Sequence, residues 1–239
     1  MSNDYGPIEK DIQKLINAYD VVVKGIDDKA KISEDRAYGG IIRAGKGELV
    51  ESMAAYLVEL AWGLLDVHSN RLKINRQKIM VPLKSEYLKK IKSDNVRKFI
   101  TDNIHKYYYP LSTDIHILID NRFVIAIECK AYTENAMLKR ILVDATLLKH
   151  MYPDLNFILF QLESQLGGDF SELPDLVFGS PSTHTLLSYF DINLHIITML
   201  KGERKVDRPI HNPRYYKSLT KESLYKAIEV FQELLQEYR

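Results

Sequence analysis

Two short apolar runs, at 115–119 and 123–127, flank the tripeptide Asp-Asn-Arg at 120–122. Strand-forming residues on both sides of such a turn signal predict an antiparallel hairpin. If the tripeptide forms the loop, Ile119 pairs with Phe123. Antiparallel partners then have residue numbers with a constant sum, so this one turn fixes the register of the whole hairpin, 113–130.

This register brings charged residues together at the open end of the hairpin. Asp114 lies opposite Glu128, with Cβ atoms about 4.5–5.5 Å apart. Lys130 projects from the same face, because side chains alternate along a strand with a period of two. Two carboxylates this close disfavour each other's ionisation unless a cation lies between them. The carboxylate pair therefore predicts a divalent cation.

Mg²⁺ is the cofactor that these residues favour. It prefers hard oxygen ligands, takes one or two protein carboxylates, and completes its octahedron with waters and phosphate oxygens. An ion held by Asp114 and Glu128 would lower the pKa of a bound water and stabilise charge on a phosphoryl oxygen. Lys130 could orient or help deprotonate that water, or neutralise the phosphate in the transition state.

The pattern Asp114-x13-Glu128-Cys129-Lys130 resembles the PD-(D/E)XK nuclease superfamily, and the whole chain looks like a type II restriction endonuclease of that group. The resemblance implies that Asp114 and Glu128 bind Mg²⁺ and that Lys130 is catalytic. Thr113 stands where the name-giving proline would be. Asp120 competes with Asp114 for the first acidic position, but it lies in the turn, far from Lys130.

The superfamily often takes a further acidic residue from an early helix, and the run 45–51 looks like the start of that helix. We carry this role over to Glu48, with Glu51 as the alternative. Glu48 could equally be an acidic residue that interacts favourably with the helix dipole. The candidate catalytic residues are thus Asp114, Glu128, Lys130 and Glu48.

The candidate metal ligands are Asp114, Glu128 and the intervening Cys129. The Cys129 side chain should nevertheless point to the opposite face, as a small core residue rather than a nucleophile. A chain with one cysteine has no internal disulfide framework, which fits a reducing cytoplasm. The resemblance to restriction endonucleases implies that the cell is prokaryotic. No apolar stretch approaches the ~18–20 residues that span a bilayer, so no membrane association is expected.

A net charge of +1 conceals two strongly basic segments. Residues 71–106 hold eleven Lys or Arg against three acidic residues, and 201–221 hold seven against two. Such clusters indicate a polyanionic partner. We expect 71–98 and 201–217 to contact duplex DNA. The candidate contact residues, for base edges or phosphates, are Lys139, Arg140, Arg204, Lys205, Arg208, Asn212 and Arg214.

The pattern of elements predicts one α/β domain over 1–239, with a mixed central β-sheet flanked by helices in a restriction-endonuclease-like core. The strand–helix–strand unit 123–162 should be parallel. Beside the hairpin we expect helices over 7–24, 46–66, 85–101, 134–151 (N-capped by Thr133) and 221–238, strands over 78–83, 155–162 and 192–200, and loops over 25–44, 163–182 and 201–218.

The function predicted is a Mg²⁺-dependent, sequence-specific endonuclease acting on double-stranded DNA, a type II restriction enzyme. The alternatives are a structure-specific repair or junction nuclease, a non-catalytic nucleic-acid-binding protein, and a metal enzyme for a small phosphorylated substrate. One metal site cuts one strand at a time, so we expect a homodimer with the symmetry of a palindromic site. Helices 7–24 and 221–238 could form its interface or pack on their own core.

Overall fold

The predicted hairpin lies at the centre of a five-stranded sheet in the computed structural model of the protein. The structure describes residues 5–31, 35–65, 68–171 and 179–239, and only the backbone of 27–31, 35–41 and 43. The strands are β1 (Leu72–Asn75), β2 (Ile79–Val81), β3 (Tyr109–Leu111), β4 (Ile115–Ile119), β5 (Arg122–Glu134), β6 (Asn156–Gln165) and β7 (Leu194–Thr198). The α-helices are α1 (Glu9–Lys31), α2 (Asp35–Leu64), α3 (Ser85–Lys90), α4 (Asp94–Asp102), α5 (Asn135–Met151), α6 (Pro181–Tyr189) and α7 (Lys221–Leu235).

The central sheet is mixed, with the strand order β1-β4-β5-β6-β7. β4 is antiparallel to both β1 and β5, whereas β5, β6 and β7 run parallel. α5 is the crossover that a parallel β5–β6 pair requires. A separate two-stranded sheet pairs β2 with β3. The predicted α/β class, the mixed sheet and the parallel strand–helix–strand unit are confirmed.

Alternate residues of β5 face two different helical layers. Ile125 and Ile127 belong to a core formed with α1, α2 and α7, which includes the buried ring of Trp62. Ala126, between them, packs on the other face with Leu148 of α5. The period of two along a strand thus gives a sheet covered on both faces, as predicted.

The apolar stripes of the first and last helices are buried in this core. Ile12 and Tyr19 of α1 are fully buried, as are Ile228 and Phe231 of α7. The sequence left open whether these stripes pack on their own core or on a second subunit, and they pack on their own core. No helix in the described part of the chain is long and apolar enough to cross a membrane.

The hairpin turn is shorter than predicted. Only Asp120 and Asn121 form the loop, both with positive φ (50° and 65°), so that Ile119 pairs with Arg122. The predicted pairing of Ile119 with Phe123 is therefore wrong. A two-residue loop with both φ values positive matches the right-handed twist of the strands better than a three-residue loop would.

A β-bulge compensates for the shorter turn. The register shifts between Ile117 and Leu118, and beyond the shift Ile117 pairs with Ile125 and Ile115 with Ile127. The extra residue in β5 restores the predicted sum of paired residue numbers. Asp114, immediately before Ile115, therefore lies opposite Glu128 as predicted. The pairing results from a two-residue loop and a bulge, not from the predicted three-residue loop.

Helix boundaries account for most other differences from the prediction. The polar region 25–44 is not loop-rich, because α1 continues to Lys31 and α2 begins at Asp35; residues 32–34 lie outside the described residues. Lys, Ala, Arg and Glu are good helix formers, so a polar composition does not by itself predict a loop. The predicted basic helix 85–101 is two helices, and the Ser93 hydroxyl caps the second by accepting from the Val96 amide.

Thr133 does not cap the helix that follows the hairpin. It lies in β5, which continues to Glu134, and α5 begins at Asn135 without a side-chain cap. Pairing with the long β6 as far as Glu134–Gln165 keeps this segment extended. The predicted loop over 163–182 contains the end of β6 and the start of α6, and its residues 172–178 lie outside the described residues.

The turn conformation yields a stability prediction. Asn121→Val should lower the free energy of unfolding by about 1–2 kcal/mol relative to Asn121→Gly, because a β-branched residue is strained at positive φ. Both variants lose the hydrogen bond that Lys73 Nζ donates to Asn121 Oδ1 (2.7 Å), so their difference isolates the backbone effect. Urea denaturation measures it, and equal stability of the two variants would contradict the turn assignment.

Candidate active site

Three oxygen atoms converge on the ammonium group of Lys130. Its Nζ donates to Glu128 Oε1 at 2.6 Å, to the Cys129 carbonyl at 3.0 Å and to Asp114 Oδ2 at 3.2 Å. The Cys129 amide also donates to Asp114 Oδ2 at 2.8 Å. The structure thus brings together the three residues that the motif predicted.

The strand geometry accounts for this arrangement. Glu128 and Lys130 are two residues apart in β5, and Asp114 meets them from the residue preceding β4. The side chains of Asp114, Glu128 and Lys130 are 14%, 15% and 21% exposed. They are shielded enough for charge interactions to be strong, yet they remain reachable from solvent.

Burial and charge oppose each other at this site. Burial raises the pKa of Glu128, and the adjacent Lys130 ammonium only partly offsets the effect. Burial also disfavours the charge on Lys130, but Glu128 and Asp114 together outweigh it and raise the pKa of Lys130. The Lys130 side chain is therefore protonated at neutral pH in this arrangement and acts as the counter-ion of the two carboxylates.

Cys129 contributes its main chain to the site and its side chain to the core. The thiol is buried with the apolar residues of α2 and β6, and burial raises the pKa of Cys129 well above its usual range. This matches the prediction of a small core residue, and the thiol is not placed as a metal ligand. The Cys129 atoms near the carboxylates are its amide and carbonyl.

Among the residues that the structure describes, no three side chains of His, Cys, Asp or Glu form a metal-binding group. A divalent ion at the hairpin would therefore use the two carboxylates, the Cys129 carbonyl and non-protein oxygens. That donor set consists of hard oxygens alone, and it suits Mg²⁺, which keeps several waters and substrate oxygens.

A third acidic residue, Glu51, reaches the site through an arginine that the sequence did not single out. Arg76 Nη2 lies 3.4 Å from Asp114 Oδ1, and its Nη1 lies 3.8 Å from Glu51 Oε2. Arg76 directly follows β1, which pairs with β4 and so lies beside Asp114. The strand β1 was not predicted, because Leu72–Asn75 alternates too briefly to be recognised.

The structure does not bring Glu48 to this cluster. Glu48 is exposed and lines a groove between α1 and α2, beside Val22 and Ser52. Glu51 is three residues further along α2, about 60° around the helix from Glu48 and nearer the sheet site, and it is the acidic residue that approaches Arg76. Sequence spacing alone could not decide between the two, because helix rotation relative to the sheet sets which residue faces the site.

The helix after the hairpin, α5, adds two charged residues, Arg140 and Asp144. Arg140 Nη2 lies 3.9 Å from Glu128 Oε1. Burial raises the pKa of Asp144, one helical turn later, while Arg140 and Lys130 lower it. The spacing of four residues between Arg140 and Asp144 was the available signal for Asp144, which the sequence analysis missed.

His116 lies beside the site without belonging to the cluster. It is buried, and its ring packs 4.5 Å from that of Phe123. Burial, and then the nearby Arg76 charge, lower the pKa of His116. These contacts indicate a structural role for His116.

The other predicted DNA-contact residues lie on the loop after β7. Arg204 is half-buried, with its guanidinium carbon 3.8 Å from the centre of the Tyr132 ring. Four more are exposed, and each has a local contact. Lys205 pairs with Glu203 (2.7 Å), Arg208 with Asp207 (3.7 Å), and Asn212 Oδ1 accepts from the Arg214 amide (3.0 Å).

The basic segment 71–98 also borders the site. Arg76 belongs to this segment and contacts Asp114. The segment also contains β2, which pairs with β3, and β3 ends three residues before Asp114. α3 and α4 contain no buried residue, so their basic side chains are open to solvent. Lys139, on α5 beside Arg140, is likewise exposed.

The chain is similar to a curated protein in sequence and to a solved structure in fold. Over 234 residues the chain is 50% identical to the type II restriction enzyme DdeI of Desulfomicrobium norvegicum, covering 96% of this chain and 98% of that protein. A solved structure described as the native BbvCI A2B2 tetramer at low resolution matches 98% of this chain and 90% of its own, with a TM-score of 0.38 and 13% identity. No protein-family model matches the chain.

Proposed function

The chain belongs to the type II restriction enzymes and is a site-specific deoxyribonuclease, and we propose that it cuts DNA with Mg²⁺ at Asp114, Glu128 and Lys130. The family predicted from the hairpin motif is confirmed, and with it the endonuclease function. The convergence of three oxygens on the single Lys130 ammonium carries the proposal for the site. Oxygens that surround the Lys130 ammonium group can also coordinate a metal cation.

We propose that the carboxylates of Asp114 and Glu128 and the carbonyl of Cys129 hold the ion. Each of these oxygens already lies within 3.2 Å of a cationic nitrogen, and none is a soft ligand that would favour another metal. When bound, Mg²⁺ supplies an acidified water and neutralises charge on the phosphate. Type II restriction enzymes typically use a divalent metal, which supports the choice.

The Lys130 ammonium group is the group best placed to orient the attacking water. Lys130 lies between both carboxylates, so it can donate a hydrogen bond to a water or phosphate oxygen held there. Arg140, 3.9 Å from Glu128, can approach the same phosphate from α5. Both cations would stabilise the negative charge that develops as the phosphodiester bond breaks.

We propose Glu51, rather than Glu48, as the early acidic residue. Glu51 shares Arg76 with Asp114, so it lies at the edge of the site, whereas Glu48 lies in the groove between α1 and α2. Glu51 would complete the outer sphere of the metal or hold Arg76 in place. Either role requires its negative charge.

We propose that duplex DNA contacts the two basic segments, 71–98 and 201–217, together with Lys139 and Arg140 of α5. Arg140 and Arg76 come within 4 Å of the acidic residues of the site, so DNA reaching the hairpin would meet them first. We further propose a homodimer and a cytoplasmic location in a prokaryotic cell. The apolar stripes of α1 and α7 are buried, so the dimer would use other surfaces.

The first test concerns Lys130. Lys130→Ala should reduce cleavage roughly 100- to 1,000-fold or more, because a charge that acts on the transition state is lost. DNA affinity without metal should stay within about threefold, because Lys130 does not hold the duplex. Single-turnover cleavage with Mg²⁺, against an EDTA control, and fluorescence anisotropy measure the two quantities.

Lys149→Ala is the matched control for this variant. Lys149 also belongs to the region around β5 and α5, but its Nζ binds Asp191 at 3.0 Å, away from the hairpin carboxylates. The control should cleave like the wild type. A Lys130→Ala enzyme that retained more than about a tenth of wild-type turnover would exclude Lys130 from the mechanism.

A second pair of variants decides between the early acidic residues. Glu51→Gln should slow cleavage by about tenfold or more, because the shared contact with Arg76 and Asp114 loses its charge. Glu48→Gln should leave the rate unchanged, because Glu48 is exposed in a separate groove. Single-turnover rates at saturating Mg²⁺ provide the comparison, and a larger loss in Glu48→Gln would reverse the assignment.

Assembly is tested with supercoiled plasmid. A homodimer with two hairpin sites should convert it directly to the linear form at saturating enzyme, with little nicked intermediate, because both strands are cut in one encounter. Sedimentation of the DNA complex gives the number of subunits. One subunit per site together with accumulating nicked circles would refute the dimer and leave the chemistry of the hairpin untouched.

A further inference from the structure

A second charged cluster lies where the parallel strands β5 and β6 end. Its members come from three parts of the chain: Lys46 from α2, Glu163 from β6, and Arg204, His211 and Lys217 from the loop after β7. Lys46 is only 9% exposed, and its Nζ lies 3.3 Å from His211 Nδ1. A lysine this deeply buried costs free energy unless a counter-ion or ligand compensates it.

The acid of this cluster is already engaged with one of the lysines. Lys217 Nζ lies 3.0 Å from Glu163 Oε1, as an ion pair rather than a well-aligned hydrogen bond. It also donates to the carbonyl oxygens of Gly202 (3.1 Å) and Glu203 (3.4 Å), and Tyr19 donates to the Lys217 carbonyl (2.6 Å). Lys217 therefore closes the loop onto the core and compensates Glu163.

Arg204 is held rigidly at the edge of the same cluster. Its amide donates to the Ser164 carbonyl at 2.7 Å, its Nη1 donates to Gln165, and its guanidinium stacks on Tyr132 at 3.8 Å. Fixing the plane of a guanidinium in advance lowers the entropy lost when it binds an anion. The remaining N–H groups of Arg204 are donors for such a ligand.

Lys46 contacts the loop that carries Arg204 through His211, and the two side chains carry like charges. Burial lowers the pKa of Lys46 to about 8; Glu163 opposes this shift, and the Arg204 charge adds to it. With Glu163 paired to Lys217, the cluster has more positive than negative charge. An anion between Lys46 and Arg204 would remove the repulsion, in the same way that a metal ion removes the repulsion between two carboxylates.

We propose that Arg204 and Lys46 form a binding site for a backbone phosphate of the DNA, one or two nucleotides from the cleaved bond. The proposal rests on the proposed function, because it takes the hairpin as the place of cleavage. Tyr132, on which Arg204 stacks, is two residues beyond Lys130 in β5. Two residues of a strand span roughly 6–7 Å, and a DNA strand advances ~3.4 Å per nucleotide.

A phosphate fits this site better than a base edge does. Tyr132 and Gln165 hold Arg204 beside β5, the strand that carries Lys130. In the proposed function the sugar–phosphate backbone of the cleaved DNA strand passes this point. A guanidinium presents parallel N–H groups to phosphate oxygens, and a nearby ammonium adds a point charge. Arg204 would thus position the duplex rather than read its sequence.

The experiment uses duplexes in which one phosphate at a time is replaced by a neutral methylphosphonate. The cleavage site is first mapped by sequencing the ends of a digested plasmid, and each duplex then carries the replacement at a different position. Binding is measured without metal by fluorescence anisotropy. For the wild type, neutralising one phosphate one or two nucleotides from the cut should weaken binding about tenfold, the loss of a charge-assisted contact.

Arg204→Ala identifies which protein group makes that contact. The variant should bind the unmodified duplex about tenfold more weakly and should no longer respond to the methylphosphonate at that one position, while other positions keep their effect. Its plot of log affinity against log salt should lose about one unit of slope. Arg204→Lys should recover part of the affinity, because it keeps the charge without the stacking.

Arg122→Ala is the matched control. Like Arg204, Arg122 has a tyrosine ring nearby (Tyr238, 5.9 Å) and a side-chain oxygen as its partner, here the Asp154 carboxylate (2.9 Å). It begins β5, eight residues before Lys130, which places it about 26 Å away along the strand. This variant should show the wild-type pattern at every methylphosphonate position.

Lys46→Met tests the second cation with a side chain of similar length. It should reduce the response at the same position, and thermal unfolding checks that the variant is folded. The proposal is overturned if Arg204→Ala retains the wild-type response at every position. Failure of the proposed function is a separate result, a Lys130→Ala enzyme that still cleaves, because the phosphate measurements are made without metal or cleavage.

Discussion

The ion-paired arrangement of Asp114, Glu128 and Lys130 is the interaction on which the candidate site depends. Two carboxylates of low exposure face each other because β4 and β5 pair in one register, and their repulsion is offset by one ammonium from the same strand. The Cys129 amide fixes Asp114 by a hydrogen bond of 2.8 Å. Removing the Lys130 ammonium would leave two shielded carboxylates without compensation, which costs more than a single contact contributes.

The same strand that holds the charges also forms the centre of the core. Ile125, Ile127 and Cys129 face the layer of α1, α2 and α7, while Glu128 and Lys130 alternate with them. A site on a central strand, packed on both faces, keeps its side chains in one geometry. The peripheral charges, Arg76 and Arg140, come instead from a segment after an edge strand and from an exposed helix face.

Charge of opposite sign is concentrated in two neighbouring places along β5. The hairpin carboxylates have an excess of acid that a metal ion would balance, and the cluster of Lys46 and Arg204 has an excess of base that a phosphate would balance. A metal-bound cleaved phosphate and its neighbour in the backbone would satisfy both. In the proposed mechanism, therefore, DNA and metal together complete an electrostatic arrangement that the protein alone leaves unbalanced.

The sequence by itself determined the class of fold and the hairpin, because alternation of side chains and a local turn signal depend on near neighbours. The family followed from the resemblance of the motif residues, not from this pattern. The register of Asp114 with Glu128 was predicted correctly, but through a turn one residue too long; the bulge in β5 compensates for the difference. Only the tertiary structure placed Arg76 and Glu51 near Asp114, Asp144 near Arg140, and Lys46 near His211. These contacts depend on how α2 and α5 rotate against the sheet and on the edge strand β1, which are set by packing between segments distant in sequence and leave no periodic signal in any one of them.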